Sequence, residues 1–297
     1  MHRFDSTRLQ KVRRTHCYRV AMLPPTPLPD EVKHAVASFL STADRLLPGA
    51  VTDLAVTGSV ALGAYRPGAS DIDLTVVLDD RWRGRRDLIA RLRLLHLSQV
   101  PRILGRLVRS LGVSATCDAS YIWNSETSLP VSRIHPVASH AGELFEARRA
   151  FDVNPVEWHE LVTGGITVRG REVADWNLDP EAALMAPWVR KNLGDYWAPL
   201  AEKTTSGRRP IRASRVEWGL LGPARMHATL TTGEVISKDS AGKYALEKFP
   251  QHAPILRVAL AHLRREEPPT ELEREQWRGL TVTAMREIIA DALTSTL

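Results

Sequence analysis

Asp71 and Asp73 stand one residue apart in Ser70-Asp71-Ile72-Asp73-Leu74-Thr75-Val76-Val77, a run whose alternation predicts a β-strand. Residues i and i+2 of a strand project to the same side, so the two carboxylates point together while Ile72 and Leu74 turn to the core. Acids held side by side repel each other unless a cation lies between them. An all-oxygen donor set suits Mg²⁺, which binds one or two carboxylates plus substrate phosphates. Upstream, Val56-Thr57-Gly58-Ser59-Val60-Ala61-Leu62-Gly63 reads as strand, tight Gly-Ser turn and short helix. Gly58 and Ser59 would bring backbone N–H groups and a hydroxyl to a phosphate at the start of that helix. An isolated Asp-x-Asp is more often a solvated strand end; the Gly-Ser turn before it favours the metal-and-phosphate reading.

The elements that must position these residues follow from pattern. A helix opens at Pro29-Asp30-Glu31 and runs to about residue 46, with Ala35, Phe39 and Leu40 on one face. A strand over 53–57, a turn of helix over 59–65 and a loop over 66–69 lead into the strand over 71–78. An Arg-rich helical stretch follows over 84–111, read as a solvated face whose stems cover apolar neighbours, with a polyanion surface as the other reading. Residues 114–123 alternate as a third strand, in which Asp118 is the only acid. Over 151–172 a helix ends at Gly164-Gly165 and a short strand enters Gly170. A linker is expected over 177–180. Beyond it the period is helical: Trp188, Asn192 and Tyr196 fall at i, i+4 and i+8. Helices are expected over 216–230, capped by Gly233, and over 237–248, 253–265 and 269–293.

The chain has 297 residues, comfortable for two domains, and its 43% hydrophobic and 25% charged content is that of a soluble globular protein. Cys17 and Cys117 are the only cysteines, which implies no disulfide framework and fits a reducing cytosol. No apolar run reaches the length of a membrane helix. The net charge of +6 invites a nucleic-acid reading, but residues 1–25 carry +5 of it and the remaining 272 residues only +1. That basic segment has no apolar h-region and runs into a Pro-rich stretch, so a disordered tail over 1–25 is expected, with a start at Met22 as an alternative. The expected protein is cytoplasmic and monomeric, and binds neither nucleic acid nor membrane.

The pattern Gly-Ser-x-Ala-x-Gly, a short spacer and Ser-Asp-Ile-Asp-Leu resembles the signature of the nucleotidyltransferase superfamily that includes DNA polymerase beta, over about residues 54–78. A second segment, with Arg225, Thr232-Gly233, Lys238-Asp239, Tyr244-Ala245 and Phe249-Pro250, resembles the helical C-terminal domain of the aminoglycoside 3''-adenylyltransferases. Those enzymes transfer AMP from ATP to spectinomycin or streptomycin. The resemblance implies an α+β fold: a nucleotidyltransferase domain over 26–176, with a small mixed sheet flanked by helices, then a helical bundle over 177–297. It implies that Asp71 and Asp73 bind Mg²⁺. Asp118 would be the third carboxylate, both metal ligand and catalytic base. Gly58, Ser59 and Ser70 would hold the nucleotide, with Arg225 and Lys238 reaching its triphosphate from the helical domain. Read without the resemblance, Arg225 is a helix-surface ion pair and Lys238 a loop charge.

The family pattern is departed from where the acceptor binds. An acid expected near Arg215 is absent, with Glu217 the nearest carboxylate. A Trp position falls near Gly142-Glu143-Leu144, and a late Tyr is replaced by His262. Glu143, Glu146 and Glu217 remain as acids for a cationic acceptor. The leading expectation is therefore Mg²⁺-dependent transfer of AMP from ATP to a hydroxyl of an aminoglycoside. A nucleotidyltransferase acting on another small hydroxylated metabolite or on a protein such as a toxin partner, a non-catalytic nucleotide-binding protein and an RNA-tailing enzyme stay open.

Overall fold

The structure is a computed structural model that describes residues 28–100, 116–142, 144–207 and 210–295. The basic N-terminal segment, the second half of the Arg-rich stretch and Glu143 lie outside the described residues.

A six-stranded mixed sheet forms the first half, in the order β5-β4-β3-β2-β1-β6. Its strands are β1 (Val51–Val56), β2 (Ile72–Leu78), β3 (Cys117–Trp123), β4 (Ala138–Ala141), β5 (Leu144–Ala147) and β6 (Ile166–Arg169). Only β2 and β3 run parallel, paired Ile72 to Cys117 and Asp73 to Asp118; the remaining neighbours are antiparallel. The three central strands are buried on both faces, which is why they read as nearly continuous apolar runs.

Helices α1 (Asp30–Leu46) and α3 (Leu88–Leu97) cover one face. The acidic first turn of α1, Asp30 and Glu31, and Arg45 in its last turn complement the helix dipole. Its Val36 and Phe39 pack with Leu92, Leu95, Ile72, Leu74 and Tyr121. The other face is covered by α4 (Pro155–Gly164), whose Trp158 and Leu161 lie over Ala55, Val77 and Ile122. Asn154 caps α4 by accepting from the N–H groups of Val156 and Glu157 at 2.9 and 3.1 Å. Asp73 shares the face of Val77 by strand alternation, so it looks toward α4.

The second half is helical, with its own core of Leu193, Trp197, Leu220, Leu221, Leu256 and Ile288. It contains α5 (Ala182–Asn192), α6 (Ala198–Thr205), α7 (Ala213–Thr232), α8 (Lys238–Lys248), α9 (Ala253–Arg264) and α10 (Trp277–Thr294). Helix α7 is the hub, packed on α8, α9 and α10, and Gly233 closes it in the left-handed conformation at φ 77°. Between α5 and α6, Leu193–Trp197 form a π-helical turn. That turn drives the Trp197 ring against Gly222 of α7, where a Cβ would lie 2.0 Å from the indole.

The α+β class expected from sequence is the class observed. Four local readings change. Helix α2 (Gly58–Ala61) is a single turn of four residues, because Gly63 adopts φ 63° and stops it. Strand β2 starts at Ile72, so Asp71 precedes the ladder. The β4–β5 hairpin was not expected, since its strands span only four residues each. Residues 269–276 are non-helical, and α10 begins at Trp277.

One buried polar group sits in the first core. His96 on α3 is 4% exposed, bonds the Tyr121 hydroxyl at 2.7 Å, and stacks on His140. Burial, and secondly the neighbouring His140, push its pKa down to about 3. An unfolded histidine takes up a proton below about pH 6.5, whereas the folded His96 does not. Stability should therefore be fully present above about pH 6.5 and fall toward pH 3, by at most about 1.4 kcal/mol per pH unit from this group. Chemical denaturation of wild type and His96→Phe between pH 7.5 and 4.5 checks this: the variant starts less stable and shows the shallower decline.

Candidate active site

Gly58 is where the site begins. The chain leaves β1 at Val56, the Thr57 N–H donates to the Asp73 carbonyl at 2.9 Å, and Gly58 takes φ 64°. A Cβ on Gly58 would stand 1.8 Å from Asp73 Oδ2, so only glycine fits between the turn and that carboxylate. The Gly58 N–H is not open to a phosphate here: it donates to Glu160 Oε1 of α4 at 2.5 Å. With α2 only one turn long, its dipole adds little to anion binding. The Ser59 hydroxyl is buried without a hydrogen-bond partner, and the Ser70 hydroxyl accepts from the Arg66 N–H at 3.0 Å.

Asp71 stands at the cleft mouth, where solvent reaches it, with the Thr116 hydroxyl 3.5 Å from Oδ1. Asp118 is the register partner of Asp73 on the parallel neighbour strand and is 7% exposed. Both of its oxygens are held: Oδ1 by His140 Nδ1 at 3.2 Å and Oδ2 by the Gly142 N–H at 2.9 Å. Among the described residues no group of three His, Cys, Asp or Glu side chains is gathered as a ready metal cage.

Three further acids face the same space: Asp152, just before α4, and Glu157 and Glu160 on it. Crowding of like charge shows in their ionisation. Burial first, then Asp152, Asp118, Glu160 and Asp71, push Asp73 up to about 7. Asp71 is raised by burial and by Asp118, against the pull of Lys238. Burial raises Glu157 well above the usual range, with Glu160 adding to it. Glu160 is raised by burial while Arg225 opposes the rise, and Asp152 is raised by burial and by Asp118.

The helical half supplies the counter-charges. Arg225 on α7 brings a guanidinium nitrogen 3.7 Å from Glu160 Oε2, and its Nε donates to the Ile236 carbonyl at 2.8 Å. Lys238, first residue of α8, reaches Glu217 at 3.5 Å and lies 5.4 Å from the centroid of the Trp218 ring. Glu217 also pairs with His262 Nδ1 at 2.7 Å.

One cavity of about 1270 Å³ joins the carboxylates to the cations of the helical half. Gly58, Ser59, Ser70, Asp71, Asp73 and Asp118 line it from the sheet, and Glu217, Arg225, Lys238 and His262 from the helices. Glu146 is also on its wall, whereas Arg215 is exposed and not among the lining residues. Phe151, Trp188, Tyr196 and Trp218 give the cleft an aromatic side, with the Trp218 indole N–H donating to the Tyr196 hydroxyl at 3.0 Å.

Two family models match the chain. Residues 36–110 match the nucleotidyltransferase domain, and residues 192–289 match the C-terminal domain of aminoglycoside adenylyltransferase. The chain is an aminoglycoside adenylyltransferase-like nucleotidyltransferase. The fold agrees with a crystal structure of spectinomycin adenyltransferase AAD(9) from Enterococcus faecialis with ATP and spectinomycin. The TM-score is 0.59 at 14% identity, over 87% of this chain and 99% of that one. No curated protein matches the sequence.

Sequence reasoning about this nucleotidyltransferase missed Asp152, Glu157 and Glu160. The available signal was Glu157 and Glu160 at i, i+3 behind the Asn154-Pro155 start, which puts both on one helix face. The partner of Glu160 across the fold, the Gly58 N–H, has no local trace in the chain.

The tightest contact of the site gives a prediction. Gly58→Ala forces both a Cβ into the Asp73 carboxylate and a β-substituted residue into positive φ. It should lower the melting temperature by several degrees and abolish nucleotide binding, read by thermal unfolding and calorimetric titration. A variant that melts like wild type and binds ATP would refute the close approach.

Proposed function

We propose that this enzyme transfers AMP from ATP to a hydroxyl of an aminoglycoside of the streptomycin or spectinomycin type. The observation that carries the proposal is the single cleft in which the acids of the sheet meet Arg225 and Lys238 of the helical half. A triphosphate needs cations, and a guanidinium with an ammonium is a usual pair for one. The C-terminal domain match supports the acceptor class. The domains assigned are 26–176 for the sheet and 177–297 for the bundle.

The donor set fits Mg²⁺: Asp71 and Asp73 offer carboxylate oxygens, and both are raised first by burial and then by neighbouring carboxylates, Asp118 among them, a repulsion that a divalent cation would relieve. Asp71 and Asp73 would hold the ion, with Asp118 beside them. When bound it offsets charge on the phosphates and on the pyrophosphate leaving group. Ser59 and Ser70 offer hydroxyls to the phosphates. Arg225 and Lys238 neutralise the triphosphate from the opposite wall, and Lys238 leaves Glu217 to do so. Asp118 accepts the proton of the acceptor hydroxyl as its oxygen attacks the α-phosphorus in line. Glu217, Glu146 and the aromatic side suit an acceptor that is cationic and has apolar faces. Two cysteines and no disulfide framework fit a cytoplasmic enzyme, proposed as a monomer acting on small molecules.

The deciding experiment is a mass-spectrometric screen for addition of one AMP to streptomycin, spectinomycin and other aminoglycosides, with ATP and Mg²⁺. Modification of a member of that class is expected; ATP binding with no acceptor modified would redirect the search to another hydroxylated metabolite or a protein. Arg225→Ala and Lys238→Ala should each weaken ATP binding by about 1–3 kcal/mol, the range for a charge-assisted hydrogen bond, in calorimetric titration. Asp118→Asn should keep the ATP affinity and lower kcat by about 10² or more. Collapse of ATP affinity with kcat retained would instead make Asp118 a nucleotide residue.

A further inference from the structure

Behind Asp118 lies a string of polar side chains in an otherwise apolar core. Gln99 is 6% exposed, His96 4% and Tyr121 fully buried. The Cys117 N–H donates to Gln99 Oε1 at 2.8 Å and Gln99 Nε2 donates to the Cys117 carbonyl at 3.1 Å, which fixes the amide orientation. The same Nε2 lies 3.2 Å from His96 Nδ1, so Nδ1 is the acceptor and the neutral ring carries its proton on Nε2. Nε2 then donates to the Tyr121 hydroxyl at 2.7 Å. The immobilised His96 ring stacks on His140, with centroids 4.0 Å apart and planes within 7°. His140 Nδ1 faces Asp118 Oδ1 at 3.2 Å, so it carries a proton there.

Burying Gln99, His96 and Tyr121 together costs desolvation that Leu or Phe would not incur. Packing of α1 and α3 rests on Phe39, Leu92, Leu95 and the Tyr121 ring, and Gln99 serves the Cys117 backbone, but neither role needs the His96 ring to stack on His140. The one cleft residue to which the string leads is Asp118. His140 itself is not on the cavity wall; its neighbours Ser139 and Ala141 are.

We propose that His140, braced by His96, Gln99 and Tyr121, is a positioning residue that fixes the orientation of the Asp118 carboxylate for proton removal. This rests on the reading of Asp118 as the base. Free rotation about the aspartate side chain would turn the basic lone pair away from the acceptor, and misplacement of a reacting group by about 1 Å can cost about 10² in rate. His140 Nδ1 pins one oxygen and the Gly142 N–H the other, which leaves the second lone pair of each oxygen for the cleft.

The test compares full-length variants by steady-state kinetics on whichever acceptor is modified, with ATP affinity measured by calorimetry. His140→Leu removes the donor and should lower kcat about tenfold or more with ATP affinity within about twofold of wild type. His140→Asn can present an amide N–H where Nδ1 stood and should recover most of the rate. In an Asp118→Asn background, His140→Leu should cost nothing further in kcat. An unchanged kcat in His140→Leu, or a loss that adds to that of Asp118→Asn, overturns the proposal. Full activity in Asp118→Asn alone defeats the base assignment, and the positioning role with it. Should His140→Leu fail to fold, His140→Asn is compared with His140→Gln, whose longer side chain carries its donor elsewhere. Higher kcat in Asn than in Gln supports positioning, and equal rates refute it.

Discussion

Repulsion among carboxylates crowded into one cleft is the constraint around which this molecule is arranged. Asp71, Asp73, Asp118, Asp152, Glu157 and Glu160 share one cleft, and burial raises the pKa of Asp71, Asp73, Asp152, Glu157 and Glu160. A sheet and a helix alone would not keep such a set together, because the ionised forms cost free energy that packing must offset. Relief comes from groups that belong to other parts of the chain. The Gly58 N–H satisfies one oxygen of Glu160, and Arg225 brings its guanidinium to the other. A cation placed among these carboxylates would relieve the same repulsion.

The helical half is tied to the sheet along the same seam. Asp239 at the start of α8 takes Arg66 from the α2–β2 loop at 2.7 Å, Arg264 at 2.8 Å and Lys243 at 2.9 Å. The Arg264 hydrogen bond leads the lowering of its pKa to about 2. Arg265 reaches the Gly68 carbonyl beside it. Single surface pairs of this sort contribute little, about 0–1 kcal/mol, but three cations on one carboxylate form a network with a fixed geometry. The loop so held runs directly into Ser70 and Asp71, so the seam and the segment that enters the cleft are one stretch of chain.

The sequence displayed its chemistry where function is local. Gly58-Ser59 and Asp71-Ile72-Asp73 are contiguous, so strand alternation was enough to expect both carboxylates on one side, although Asp71 in fact precedes the ladder. Arg225 and Lys238 were singled out only by the family resemblance, since by themselves they read as a helix-surface ion pair and a loop charge, whereas Gly233 announced itself as a helix cap. Glu160 was not legible: its meaning depends on Gly58, which lies far from it in the chain and close in space. The β4–β5 hairpin escaped for a different reason, since four-residue strands carry too few alternations to register as a period. Without that hairpin, neither His140 nor the Gly142 N–H could be placed against Asp118.

The π-helical turn at Leu193–Trp197 holds one residue more than an α-helical path would need. Removing any one of those residues would let α5 and α6 merge into a regular helix, locally the more favourable backbone. The flanking helices would keep their faces, because the turn absorbs the extra residue, but the side chains inside it would be re-aimed. Trp197 would leave its notch on Gly222, and Tyr196 would lose the Trp218 indole. Chain length in this short stretch is therefore under tighter restraint than residue identity, and a lineage carrying this cleft should accept substitutions there more readily than single-residue deletions.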